Sequence, residues 1–115
     1  MNQTFPNTMR LRKSAEFDAV FKEGTRFAGK YLLAFIAPSN TVSKLGVIVS
    51  RRWGNAVRRN RMKRLMRESF RKAHNEFRKP LRIVLIPRRY PKDLSEHQAR
   101  ADLLQLVAEY ERRRG

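Results

Sequence analysis

The sequence predicts an α+β domain, a two-layer sandwich in which a four-stranded mixed sheet is packed with helices in the order αβββαβα. Three observations predict it. Hydrophobic residues make up 41% of the 115 residues, with seven Phe, three Tyr and one Trp, which supplies one two-layer core and excludes a disordered basic tail. Apolar residues recur at helical spacing in three stretches, with short β-rich runs between them. A long helical pattern lies directly between two such runs, which implies a strand, helix, strand unit.

Met1–Thr8 is polar, and residues 1–9 are expected to be a flexible N-terminal segment ahead of a single domain over 10–115. Ser14 is placed to cap a helix over Ala15–Glu23. There Phe17, Val20 and Phe21 share a face at i, i+3, i+4, Glu16 and Asp18 suit the positive N-terminal end, and Gly24 supplies a stop. Thr25–Ala28 and Tyr31–Ala37 read as strands joined at Gly29-Lys30, and Pro38-Ser39-Asn40 ends the second. Leu45–Ser50 is the third strand. Gly54 or Asn55 starts the longest helix, Ala56 to about Phe77, about 33 Å at 1.5 Å per residue, with Pro80 beyond its end. Leu81–Ile86 is a continuous apolar run of strand length, stopped by Pro87. Ser95 and Gln98 have capping-box spacing, with Leu94 placed to staple onto Ala99, and Leu103, Leu104, Val107 and Tyr110 mark the buried stripe of a last helix.

Lys and Arg number 27 against 10 Asp and Glu, a formal net charge of +17. Such a charge implies polyanions as partners. Cysteine is absent, which excludes a disulfide scaffold, a thiolate zinc site and a cysteine nucleophile, and fits a reducing cytoplasm as the expected location. The longest strictly apolar run, Tyr31–Ala37, is far short of the roughly 20 residues of a membrane helix. Met1–Ser14 holds no apolar segment resembling a signal peptide. Neither a membrane nor a small-molecule substrate is expected.

Around the long helix, Met62, Leu65, Met66, Ser69, Phe70, Ala73 and Phe77 fall on one side, expected to pack on the sheet. Asn60, Lys63, Arg64, Arg67 and Arg71 fall opposite. The second set is either a solvated face or a row of cations presented to a phosphate backbone. Two observations favour the phosphate. Within Arg58–Lys72 the only carboxylate is Glu68, so the face lacks pairing at i, i+4. Arg58, Arg59 and Arg61 also stand in the first turns, where the helix dipole disfavours cations. An anion that meets these guanidinium groups and the free N–H groups of the helix start reverses that penalty. Upstream, Arg51 and Arg52 extend the basic surface and Gly54 allows close approach of the backbone. Trp53 is open between a core lid and a base-stacking platform.

Phe17 and Phe21 are one helical turn apart, and Phe35 lies two residues from Leu33 on one sheet face. Two readings stay open for these rings: core packing where helix meets sheet, or a cleft in which unpaired nucleotides stack. A self-sufficient nuclease needs a His pair or a metal-binding carboxylate cluster, and the sequence displays neither. His74 and His97 stand alone on polar helix segments. Glu16, Asp18 and Glu23 on the first helix and Glu96, Asp102, Glu109 and Glu111 on the last read as surface residues. No catalytic side chain, metal ligand or bound cofactor is expected of this chain.

Gly54 to Arg71, Gly-Asn-Ala-Val-Arg-Arg-Asn-Arg-Met-Lys-Arg-Leu-Met-Arg-Glu-Ser-Phe-Arg, resembles the signature of the protein subunit of bacterial ribonuclease P. Arg59-Asn60-Arg61, Lys63-Arg64, Arg67 and Phe70 fit the family's helix pattern without a gap. The Gly46–Ser50 strand and the Phe17-x-x-Val20-Phe21-x-x-Gly24 helix resemble the same family, and the likeness covers roughly 10–110.

The resemblance implies a small basic protein that joins a large catalytic RNA and helps it remove the 5′ leader of precursor tRNA, the RNA holding the active-site magnesium. It implies the ribosomal protein S5 domain 2-like fold, whose strand, helix, strand crossover is left-handed against the usual rule. It also implies that Arg51, Arg52, Arg58, Arg59, Asn60, Arg61, Lys63, Arg64, Arg67 and Arg71 lie against the RNA subunit. Phe17, Phe21, Leu33 and Phe35 would then line a cleft for the leader, with Arg59 at its rim. Family members often carry Tyr at the strand position that is Phe35 here, and Phe has no hydroxyl to bond the leader. A ribosomal or other structural RNA-binding protein shares the charge but needs no aromatic cleft. A small DNA-binding module is disfavoured, because the basic helix is longer than a groove-reading helix and lacks a helix-turn-helix partner.

Overall fold

The computed structural model describes residues 6–88 and 94–114. Its elements are α1 (Ser14–Glu23), β1 (Thr25–Ala28), β2 (Leu32–Pro38), β3 (Lys44–Val47), α2 (Ala56–Ala73), β4 (Leu81–Pro87) and α3 (Glu96–Arg114). The order αβββαβα is therefore the one expected. The strands form one mixed sheet, β1-β2-β4-β3, antiparallel except for the β3–β4 pair. The parallel pair flanks α2 in sequence, as the strand, helix, strand pattern requires.

Alternation along the strands divides the sheet into two faces. Phe27, Leu32, Ala34, Ile36, Ile83 and Leu85 join Met62, Met66, Phe70, Leu103, Leu106, Val107 and Tyr110 in the main core under α2 and α3. Ala37 and Val84 face the other way, where with Leu11 and Val20 they form a smaller cluster beneath α1. The apolar side of α2 shares its core with α3 as well as with the sheet, because α3 lies alongside it.

Several boundaries move for local reasons. Ser14 is the first helical residue rather than the cap. The Glu16 carboxylate reaches back to accept the N–H groups of Arg12 at 2.7 Å and Lys13 at 3.0 Å, which satisfies donors the helix leaves open. These two bonds hold the Glu16 carboxyl below the usual carboxylate value. α2 ends at Ala73, short of Phe77, because His74–Glu76 tighten into a 3-10 turn and Phe77 turns extended, its ring 5.8 Å from that of Phe70. β3 stops at Val47, although the Ile48 N–H still donates to the Leu85 carbonyl at 3.0 Å. The start of α3 follows the expected box: Gln98 Oε1 accepts the Ser95 N–H at 3.0 Å and Ser95 Oγ accepts the Gln98 N–H at 3.1 Å.

Within the segment expected to be flexible, Asn7–Met9 form one 3-10 turn and Met9 packs half-buried against the main core; residues 1–5 lie outside the described residues. Asp102, read as a surface residue, is buried. It and Leu106 join the buried stripe of α3, while Leu104 is half-buried.

Candidate nucleic-acid interface

α1 crosses only part of its sheet face. Phe17 and Phe35 are half-buried against Leu11, Val20, Ala37 and Val84, whereas Phe21 is 37% exposed. The Phe17 ring lies against Gly46, where a Cβ would collide with it. A lone glycine in a strand pattern is the sequence signal for such an approach. The Phe21 and Phe35 rings meet edge to face, centroids 4.8 Å apart at 90°. Beyond Phe35 the face continues with half-buried Leu33 and its cross-strand partner Ile86, and past the end of β3 Ile48 is 36% exposed. Ile86 and Ile48 escape the sequence reading, since a continuous apolar run hides which residues point away from the main core.

The second surface is α2. Asn55 caps it, its Oδ1 accepting the Arg58 N–H at 2.9 Å, and Gly54 before it has φ +123°, where only glycine is at ease. Arg51 and Arg52 are exposed on a 3-10 turn, and the Arg52 guanidinium lies 4.9 Å over the ring of Trp53. Trp53 itself is half-buried against the main core, a lid rather than a free platform.

The arginines of α2 divide among three sectors. Asn60 and Arg64 point to solvent. Arg58, Arg61 and Arg64 line a depression of about 410 Å³ with Leu65, Glu68, Leu94 and Glu96 on the side towards α3. On the opposite flank Lys63 and Arg67 are half-exposed; burial first, and then the charge of Arg10, push Arg67 below the usual guanidinium value. Arg59 is positioned through its Nε, which donates to the Gly54 carbonyl at 3.2 Å. Arg71 is engaged by Glu68, its Nε and Nη2 donating at 2.9 and 2.6 Å. That fork holds the Glu68 carboxyl low and Arg71 high, so Glu68 compensates one end of the basic face.

Several of the carboxylates are occupied structurally. Asp102 accepts the N–H groups of Lys30, Tyr31 and Leu32, each at 3.0 Å. Glu111 accepts the Arg78 N–H at 2.8 Å. Glu96 pairs with Lys72 and Arg100. His74 stacks on Phe70 at 5.9 Å, and burial followed by the Arg71 charge lowers its pKa. Among the described residues no three His, Asp or Glu side chains gather where they could share a metal ion, and no helix is long and apolar enough to cross a membrane.

The family profile described as Ribonuclease P matches residues 5–111. The ribonuclease P protein component of Shouchella clausii is 38% identical over 96 residues, covering 82% of this chain and 79% of its own. That of Clostridioides difficile is 40% identical over 91 residues, covering 77% and 80%. The solved ribonuclease P protein from Thermotoga maritima is similar with a TM-score of 0.77 at 33% identity, covering 87% of this chain and 96% of that one. The Staphylococcus aureus protein, solved at 2.0 angstrom, has a TM-score of 0.74 at 30% identity, covering 90% and 95%. With the profile running from before α1 into the last turns of α3, and with relatives at this identity aligned over most of their own length, the chain belongs to the ribonuclease P protein family.

Proposed function

We propose that the chain is the protein subunit of a ribonuclease P ribonucleoprotein and contributes two RNA-binding surfaces to the removal of 5′ leaders from precursor tRNA. The groove beside α1 receives the unpaired leader, and the basic surface from Arg51 to Arg71 lies against the catalytic RNA. Phosphodiester hydrolysis and the magnesium it requires belong to the RNA, in keeping with Asp102 committed to backbone N–H groups and Glu68 to Arg71. Such a particle works where precursor tRNA is made, in the cytoplasm.

The observation that carries the groove reading is the Phe21–Phe35 pair. An apolar ring 37% exposed on a sheet face left partly uncovered is costly in water. It becomes favourable when an unpaired base covers it. A groove of this kind distinguishes substrate from product, because mature tRNA has no leader to place in it.

Two measurements test the reading. Purified protein added to a bacterial ribonuclease P RNA at low magnesium is expected to restore cleavage of precursor tRNA; a structural RNA-binding protein would leave the RNA inactive. Phe21→Leu in the reconstituted holoenzyme is expected to weaken precursor tRNA by about 1–3 kcal/mol and leave mature tRNA affinity unchanged. Equal weakening of both would sink the groove assignment. Phe21 is the clean probe, because Phe17 is also packed on Gly46 and its truncation would disturb the small cluster.

A further inference from the structure

Among the described residues, the strands carry three cations on the sheet face beside α1, and acids are distributed unequally among them. Arg82 on β4 donates from Nε to the Pro38 carbonyl at 2.8 Å and pairs through Nη2 with Glu23 at the end of α1. Lys44, opposite Arg82 in the β3–β4 register, lies in the field of Glu16. Arg26 is the third. Its register partner is Phe35, so the two side chains leave the same face of neighbouring strands, with Cβ atoms about 5 Å apart. Phe27, the next residue, turns the other way and is buried under α3. Arg26 is exposed, and among the described residues it has no carboxylate within ion-pair distance, donates no hydrogen bond and lies over no ring. β1 is the outer strand of the sheet, so no further strand screens it.

Phe21, Phe35 and Arg26 therefore stand in sequence from α1 across β2 to the sheet edge: an exposed ring, a half-exposed ring and an unpaired guanidinium. Single-stranded RNA presents the complementary order, a flat base and then a phosphate one link away. We propose that Arg26 is a positioning residue for the leader: it holds the phosphate adjoining the nucleotide that stacks on Phe21 and Phe35, and so sets the register of the unpaired strand in the groove. The inference rests on the groove reading above and adds a residue and a ligand atom to it. A guanidinium already paired, like that of Arg82, would have to break its ion pair to do this. Arg26 does not.

The test uses the holoenzyme reconstituted with catalytic RNA, with precursor and mature tRNA affinities measured across a salt series for Arg26→Ala, Arg26→Lys and Phe21→Leu. Arg26→Ala is expected to weaken precursor tRNA about threefold to tenfold, as loss of one phosphate contact does, and to lower the magnitude of the log–log salt slope by about 0.7. Mature tRNA affinity and the circular dichroism spectrum are expected to stay unchanged, with Arg26→Lys restoring most of the loss. A precursor carrying a neutral methylphosphonate at one leader linkage is expected to bind wild type and Arg26→Ala alike, and methylphosphonates at other linkages to preserve the difference. If Phe21→Leu weakens the precursor while Arg26→Ala does not, or if Arg26→Ala weakens precursor and product equally, the assignment of Arg26 is overturned and the groove stands. If neither variant affects the precursor, groove and phosphate site fall together.

Discussion

Asp102 holds the turn between β1 and β2 from a helix 72 positions away. Its Oδ1 accepts the Lys30 N–H, and its Oδ2 accepts those of Tyr31 and Leu32. Gly29 supplies the space, since a Cβ there would come within 2.6 Å of the carboxylate. The turn leads into β2 just before Leu33, so this bond set also anchors one end of the groove wall. Asp102→Ala strips three backbone donors of a charged acceptor at a buried site and is expected to cost about 3 kcal/mol. Asp102→Asn keeps one acceptor oxygen and is expected to cost less. Urea unfolding of both variants measures this, and a loss below about 1 kcal/mol for the alanine would show that the hairpin holds the turn by itself.

α2 spans about 27 Å over its 18 residues, and its charges divide into those the protein has paired and those it has not. Glu68 engages Arg71 and Lys72 at one end, while Arg61 and Arg64 have no carboxylate within ion-pair distance among the described residues. Replacing Arg64 and Arg67 together by Ala is expected to lower the magnitude of the salt slope for catalytic-RNA binding by about one to two, with helicity retained. Glu68→Gln releases Arg71, while Lys72 keeps Glu96, and is expected to steepen the same slope by up to about one. If the double arginine variant left the slope unaltered, the RNA would have to lie on another surface.

A net charge of +17 on 115 residues makes the whole molecule its own opponent in water. Arg67 beside Arg10 is one local instance, and the cations at the start of α2 another. Anions that occupy such sites stabilise only the folded chain, by RT ln(1 + [L]/Kd) per site. The melting temperature is therefore expected to climb with sulfate concentration, and more steeply than with chloride at equal ionic strength. Equal effects of the two salts would mean that screening alone accounts for the gain.

By itself the sequence determined the element order, the basic face of α2 and the capping box of α3, because each is written in residues a few positions apart. Short-range signals survive without knowledge of the fold. The tertiary structure alone decided the rest. It placed Phe35 opposite Arg26 and beside Phe21, uncovered Ile86 and Ile48, and took Asp102 from the surface into the core. A strand of alternating residues states that two faces exist, but not which neighbours share each face. The physical reason is that register and helix placement are chosen by the burial of all the apolar surface at once, and no local stretch of chain carries that sum.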